Sequence, residues 1–224
     1  FTKKNFSISS LILYISNYLH LKYNLTFSFL TSSFEKGLFD SQNIGLLELE
    51  SWLDFFFKKK KLSNEISKYN VIHIHGIWAP IQLISIIVCN NMNKHYVIHP
   101  HGMLLPEAVG GGGFIKFFFK RIFLFIFSYF IIERANFVSI TNQEKYAIKK
   151  FFPHSNVTEI SNPIPFKKND LVTSKKNKKL VYFGRIHPHK NLDLIIKAFK
   201  NANLNRDWTL DIYGILDDKN YYKK

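Results

Sequence analysis

The chain has 224 residues, 46% of them hydrophobic and 17% aromatic, a composition that can bury a core and excludes a disordered polar segment. Its 31 Lys and Arg against 16 Asp and Glu give a formal net charge of +15, which favours polyanionic partners of three kinds: nucleic acid, anionic membrane and phosphorylated small molecules. The single cysteine, Cys89, excludes an intramolecular disulfide and a cysteine-rich metal site, and suits a reducing cytoplasm.

In chain order, Ile8, Leu11, Ile12, Ile15 and Leu19 trace one helical face, and residues 25–30 then alternate in part, as a strand does. A doubly wound domain opens with a strand and a loop before its first helix. Neither precedes this helix, so the pattern is that of a domain lacking its first strand. Asn17, His20 and the missing small-residue cleavage site argue against a signal peptide. Residues 34–45 read as a polar loop and 46–57 as a helix. The cations Lys58 to Lys61 read as its solvated end, where positive charge suits the helix dipole.

The stretch VIHIHGIW, residues 71–78, alternates apolar residues with His and reads as a strand ending at His75 and Gly76. Ligands of parallel α/β sheets collect at such strand ends. His73 and His75 share a face and could be read as metal ligands, but no carboxylate or thiol lies nearby in sequence, so no metal is expected. Residues 81–88 are apolar all round, which fits a helix packed deep against a sheet. Residues 96–100 form the next strand, closed by His101 and Gly102. His101 is an acid/base or polar-contact candidate, with a structural histidine as the alternative. The four glycines at 110–113 read as a flexible loop, and no Gly-Lys-Ser/Thr follows to make it a phosphate-binding loop. Residues 114–132 are strongly aromatic, yet Lys116, Lys120 and Arg121 leave an apolar run too short to span a bilayer. This segment is either a helix resting on an anionic membrane or a core helix with a solvated basic end.

Residues 137–141 read as a strand, Thr141 with Glu144 as a capping box, 142–152 as a helix and 157–161 as the last strand of this half. Asn162, Pro163, Ile164 and Pro165 break regular structure, and the polar stretch 167–179 marks a linker, dividing the chain into domains 1–165 and 166–224. Residues 180–183 are a short apolar run suited to a strand buried on both faces, stopped by Gly184. Leu192, Ile195, Ile196 and Phe199 then make one helix face, with Asn191 as N-cap and Asp193 in the first turn. Arg185, His187, His189 and Lys190 fill the turn between them. Cations beside a helix N-terminus suit a diphosphate, although a basic solvated loop fits the same residues.

Gly184, Arg185, Pro188, Lys190, Asn191 and Leu192, followed by Ala198, Phe199 and the WTLDIYG stretch at 208–214, resemble the start of the nucleotide-sugar domain of family 4 glycosyltransferases of GT-B architecture. The HIHGIW and PHGML stretches are similar to those at the strand ends of that family's N-terminal domain. The resemblance implies an α/β fold of GT-B type: a Rossmann-like acceptor-side domain over 1–165, then the beginning of a second Rossmann-like domain over 166–224, with the active site between them. It assigns Arg185 and Lys190, with Gly184, to the donor diphosphate, and His101 to the catalytic centre as a contact for the transferred sugar or the acceptor hydroxyl. His75, Gly76 and Gly102 fall on the acceptor-side cleft and His73 on a structural role. The implied substrates are a nucleotide-diphosphate sugar and a glycan or lipid-linked glycan acceptor, joined with retention of configuration and without metal or other cofactor. The implied setting is bacterial lipopolysaccharide, capsule or exopolysaccharide assembly in the cytoplasm, peripheral on the inner face of the membrane.

The chain departs from the family in its four glycines, and it carries no two glutamates separated by seven residues, the pair that holds sugar and ribose in the family. No Asp-x-Asp is present either, which argues against a metal-dependent GT-A enzyme. Two rival classes fit the same sequence. One is a non-catalytic remnant with an incomplete donor domain. The other is a basic nucleic-acid binder, for which no RNP-like, zinc-finger or helix-turn-helix signature is present.

Overall fold

The computed structural model describes residues 6–29, 52–111, 113–131, 135–163, 178–205, 207–216 and 219–222. The chain divides into two compact units, Phe1–Pro165 and Phe166–Lys224. The loop expected at 34–45, the start of the helix expected at 46–57 and most of the linker expected at 167–179 lie outside the described residues.

The first unit contains helices α1 (Phe6–Tyr23), α2 (Trp52–Ser67), α3 (Pro80–Asn91), α4 (Pro106–Gly110), α5 (Gly113–Phe130) and α6 (Asn142–Phe151). Its strands are β1 (Val71–His75), β2 (His95–His99), β3 (Asn136–Ser139) and β4 (Asn156–Glu159). They form one parallel sheet in the order β1-β2-β3-β4, so α3, α5 and α6 serve as crossovers. The register sets Ile74 beside Ile98, Ile98 beside Phe137 and Phe137 beside Val157. Because strand side chains alternate with period two, these four share one face, and all four are buried. Ile84, Ile86 and Val88 of α3, Phe127 of α5 and Ile148 of α6 complete this core. The opposite face carries the polar positions of the same strands, including His73, His75 and His99, and Asn136 paired with Asn156.

Several local expectations are corrected. Residues 25–29 are not in a strand: α1 ends at Tyr23, Asn24 follows with φ +53°, and no described strand offers the next residues a ladder partner. The lysines at 58–61 lie inside α2, which continues to Ser67, and do not end it. Gly110 closes α4, and its neighbour Gly111, whose amide donates to the Glu107 carbonyl, caps that helix while Gly113 opens α5. The glycines therefore join two helices; Gly112 is outside the described residues.

The second unit pairs β5 (Lys179–Phe183) with β6 (Thr209–Tyr213) in parallel through α7 (Leu192–Asn201), and ends with the short α8 (Lys219–Tyr222). Strand, crossover helix and parallel strand make one βαβ unit. The expectation that β5 is buried on both faces does not hold. Val181 is 61% and Phe183 87% exposed, because the described sheet has two strands and one crossover helix to cover it. Gly214 is required by close backbone approach: a Cβ there would collide with the Gly184 carbonyl.

Phe137, 1% exposed and stacked on Phe152 at 5.2 Å between ring centroids, anchors the first unit. Phe137→Ala should cost about 3–5 kcal/mol. Tyr146→Ala, at a residue 76% exposed, should stay within about 0.5 kcal/mol. Urea unfolding of both variants checks the contrast.

Candidate functional site

The C-terminal ends of β1, β2 and β3 meet in a compact arrangement of loops. β1 ends at His75, and Gly76 then continues the ladder by donating its amide to the His99 carbonyl at 2.8 Å. Gly76 has φ +84°, a backbone angle that favours glycine, and lies against the side-chain ends of Gln82 and Met103. Gln82 fixes the following turn, accepting from the Ala79 amide at 2.7 Å and donating to the His75 carbonyl at 3.0 Å. After β2 the chain turns at His101 and Gly102, both left-handed, with φ of +53° and +78°. A left-handed histidine is uncommon and needs outside support.

That support comes from Glu144, which is fully buried. One carboxylate oxygen accepts from the Gly102 amide at 2.5 Å, and the other accepts from the Ile140 amide at 2.8 Å. The capping box expected at Thr141 is thus half present. The Thr141 hydroxyl accepts from the Glu144 amide at 3.2 Å, while the Glu144 carboxylate leaves its own helix to tie the ends of β2 and β3 together. A buried carboxylate whose two oxygens both receive backbone N–H donors is a rigid clamp.

Four imidazoles stand in a row on the polar face of β1 and β2. His73 Nδ1 lies 2.9 Å from His99 Nε2, and His75 Nδ1 lies 2.9 Å from His101 Nε2. The rings of His75 and His99 stack at 4.5 Å between centroids, and those of His75 and His101 at 5.2 Å. In each hydrogen-bonded pair one nitrogen donates and the other accepts, so two neutral imidazoles satisfy the contact and two imidazolium ions would repel. Burial, reinforced by repulsion from His99, His101 and His73, pushes the His75 pKa down to about 2. Burial, with repulsion from His73 and His101, takes His99 to about 3. Burial also lowers His73 and His101. The row is therefore neutral near pH 7. His101 in this state can accept a proton or orient a hydroxyl, and its orientation is fixed by His75 on one side and by the turn that Glu144 holds on the other.

The structure thus brings together His75, Gly76, His101 and Gly102. It also brings in three residues that reading the sequence did not place in the site. His99 completes the row, and the repeated His-x-His at the ends of both strands is the signal that could have found it. His73 joins the row through His99, which is compatible with the structural role implied for it, and Glu144 acts on a turn 42 residues away, which a capping motif cannot reveal. Among the described residues no group of three or more His, Cys, Asp or Glu is arranged to hold a metal ion.

In the second unit, Gly184, Arg185 and Lys190 occupy the turn between β5 and α7. Arg185 and Lys190 are exposed. The Gly184 amide donates to the Tyr213 carbonyl at 3.0 Å, and the Tyr182 hydroxyl donates to the Arg185 carbonyl at 2.9 Å, so the start of the turn is tied to the sheet. Pro188–Lys190 forms a 3-10 turn that leads into α7. Asn191 occupies the N-cap position, but in a left-handed conformation with no side-chain cap, contrary to the expectation. The cap is supplied by Tyr221, whose hydroxyl accepts from the Asp193 amide at 3.0 Å and donates to the Asp193 carboxylate at 2.7 Å. This hydrogen bond holds the Asp193 carboxyl below the usual carboxylate range.

Two outcomes test the first-unit geometry. Unfolded histidine titrates near 6.5, so folded imidazoles with lower values bind fewer protons than the unfolded chain once the pH falls below that point. Stability present above pH 6.5 should therefore fall as the pH drops towards the folded values. The loss at about pH 5 should be on the order of 2 kcal/mol for each of His75 and His99, and less for the more open His73. Urea midpoints between neutral pH and pH 5 measure the slope, which His75→Gln with His99→Gln should flatten. Glu144→Ala should cost about 2–5 kcal/mol by leaving two backbone amides without an acceptor. It should also speed hydrogen exchange at Gly102, and Glu144→Gln should do less of both.

No curated protein and no solved structure matches the chain. One family model does. Residues 163–224, which contain β5, the Arg185–Lys190 turn, α7 and β6, match the model of the glycosyl transferases group 1, a GT-B family.

Proposed function

We propose that the protein transfers a sugar from a nucleotide-diphosphate sugar to a glycan or lipid-linked glycan, with retention, as a family 4 type enzyme of bacterial surface-polysaccharide assembly. The observation that carries this reading is the family match over the strand, basic turn and helix that hold Gly184, Arg185 and Lys190. A sugar-nucleotide donor leaves as a diphosphate, and transfer is accelerated by charge placed where negative charge develops on the leaving oxygens. Arg185 offers a planar fork of donors and Lys190 a compact cation, both exposed beside the entrance to α7. The α7 dipole adds positive potential at that end, although Tyr221 already occupies the Asp193 amide.

On the acceptor side, the neutral His101 orients the reacting hydroxyl or sugar, and His75 keeps its ring in place. Gly102, half-buried after β2, gives the acceptor close approach to backbone, while Gly76, buried against Gln82 and Met103, shapes the acceptor-side turn after β1.

Calorimetry with UDP, GDP and ADP, together with sugar release from the matching nucleotide sugars, tests the proposal. One diphosphate should bind, and Arg185→Ala should weaken it about tenfold at low ionic strength, less at physiological salt because the site is exposed. His101→Ala should lower turnover and leave diphosphate affinity unchanged. Affinity untouched by Arg185→Ala would remove the turn from the donor site.

A further inference from the structure

The chain carries the same His-x-His pattern twice at neighbouring strand ends, His73 with His75 and His99 with His101. Period-two alternation puts His73, His75 and His99 on one face, and the register sets His75 beside His99, with His73 one step back on the diagonal. His73 Nδ1 and His99 Nε2 face each other at 2.9 Å, His73 being exposed and His99 half-buried. The other pair, His75 and His101, is half-buried, and its backbone is pinned by Gln82 on one side and Glu144 on the other. The pair with room to open is therefore His73 with His99.

Imidazole is the side-chain ligand that suits Cu(II), Ni(II) and Zn(II), and above pH 7 it is mostly neutral, with one free lone pair. Two nitrogens bound at about 2.0–2.1 Å in neighbouring positions of a tetragonal ion stand about 2.9 Å apart, and on a tetrahedral ion about 3.3 Å apart. The separation of His73 Nδ1 and His99 Nε2 already lies at the shorter of these spans. Binding needs a turn of the exposed His73 ring, and the tautomers in which each ring carries its proton on the nitrogen facing away, so no proton is gained or lost. Among the described residues no group of three or more His, Cys, Asp or Glu is arranged around an ion, so water fills the remaining positions. Magnesium and calcium take oxygen ligands and do not fit.

We propose that His73 and His99 chelate a divalent transition-metal ion of the copper and nickel class across β1 and β2. The site uses residues of the first unit and is independent of the donor reading. The test is titration of the full chain, free of any affinity tag, with Cu(II) at neutral pH, read by electron paramagnetic resonance. The most tightly held ion should give a tetragonal signal coupled to two imidazole nitrogens, and excess Mg(II) should leave it unchanged. Losing an outer partner of a ligand costs about 10–100-fold in metal affinity, so losing a ligand should cost at least that much. His73→Gln and His99→Gln should each weaken binding by at least about tenfold and reduce the coupling to one nitrogen, with an unchanged circular dichroism spectrum. His154→Gln, at an exposed histidine away from the row, should change neither affinity nor coupling. Affinity unchanged in the His73 variant, whose side chain is exposed and whose fold is not at risk, would overturn the proposal. So would a signal without two-nitrogen coupling in the unaltered chain, which would assign the ion to scattered surface histidines.

Discussion

The parallel register of β1 and β2, with His75 opposite His99, is the constraint on which the first unit depends. Period-two alternation means that a slip of one residue would exchange the faces of the strand. In the observed register the isoleucines of both strands enter the core, and all the histidines fall on the other side. The same choice that buries Ile74 and Ile98 therefore assembles the imidazole row. Core packing and site geometry are here one decision, and Glu144 locks its outcome by fixing the turn that carries the last member, His101.

Neutral, mutually hydrogen-bonded imidazoles make a rigid, polar but uncharged wall. Such a wall suits hydroxyl-rich ligands, which need orienting donors and acceptors more than they need charge. The second unit has the opposite character, with exposed cations in a turn that leads to a helix N-terminus. In the proposed function the first character would suit an acceptor hydroxyl and the second a leaving diphosphate.

The strands and crossover helices were legible because their apolar periods are strong: VIHIH alternates cleanly and residues 81–88 are apolar throughout. Gly76 and Gly102 were legible as strand-end glycines, and His75 and His101 by their position. His99 was hidden inside a strand assignment, since its role depends on a cross-strand neighbour 26 residues away. Glu144 read as a helix cap because local sequence shows local partners only. Asn191 failed as a side-chain cap because Tyr221, near the far end of the unit, took that role. The exposure of β5 escaped notice for the same reason, and residues 114–132 stayed open between a surface helix and a core helix: apolar composition shows what can be buried, while burial depends on which elements arrive to cover it.

The most direct measurement of the central claim is the mapping of backbone amide chemical shifts in the full chain during titration with the nucleoside diphosphate that binds. The account predicts that the largest changes fall at Gly184, Arg185 and the residues from Lys190 to Asp193, with the amides of β1 and β2 undisturbed. Saturable shifts confined to the loops after His75 and His101, or no saturable shift with any nucleoside diphosphate, would contradict it.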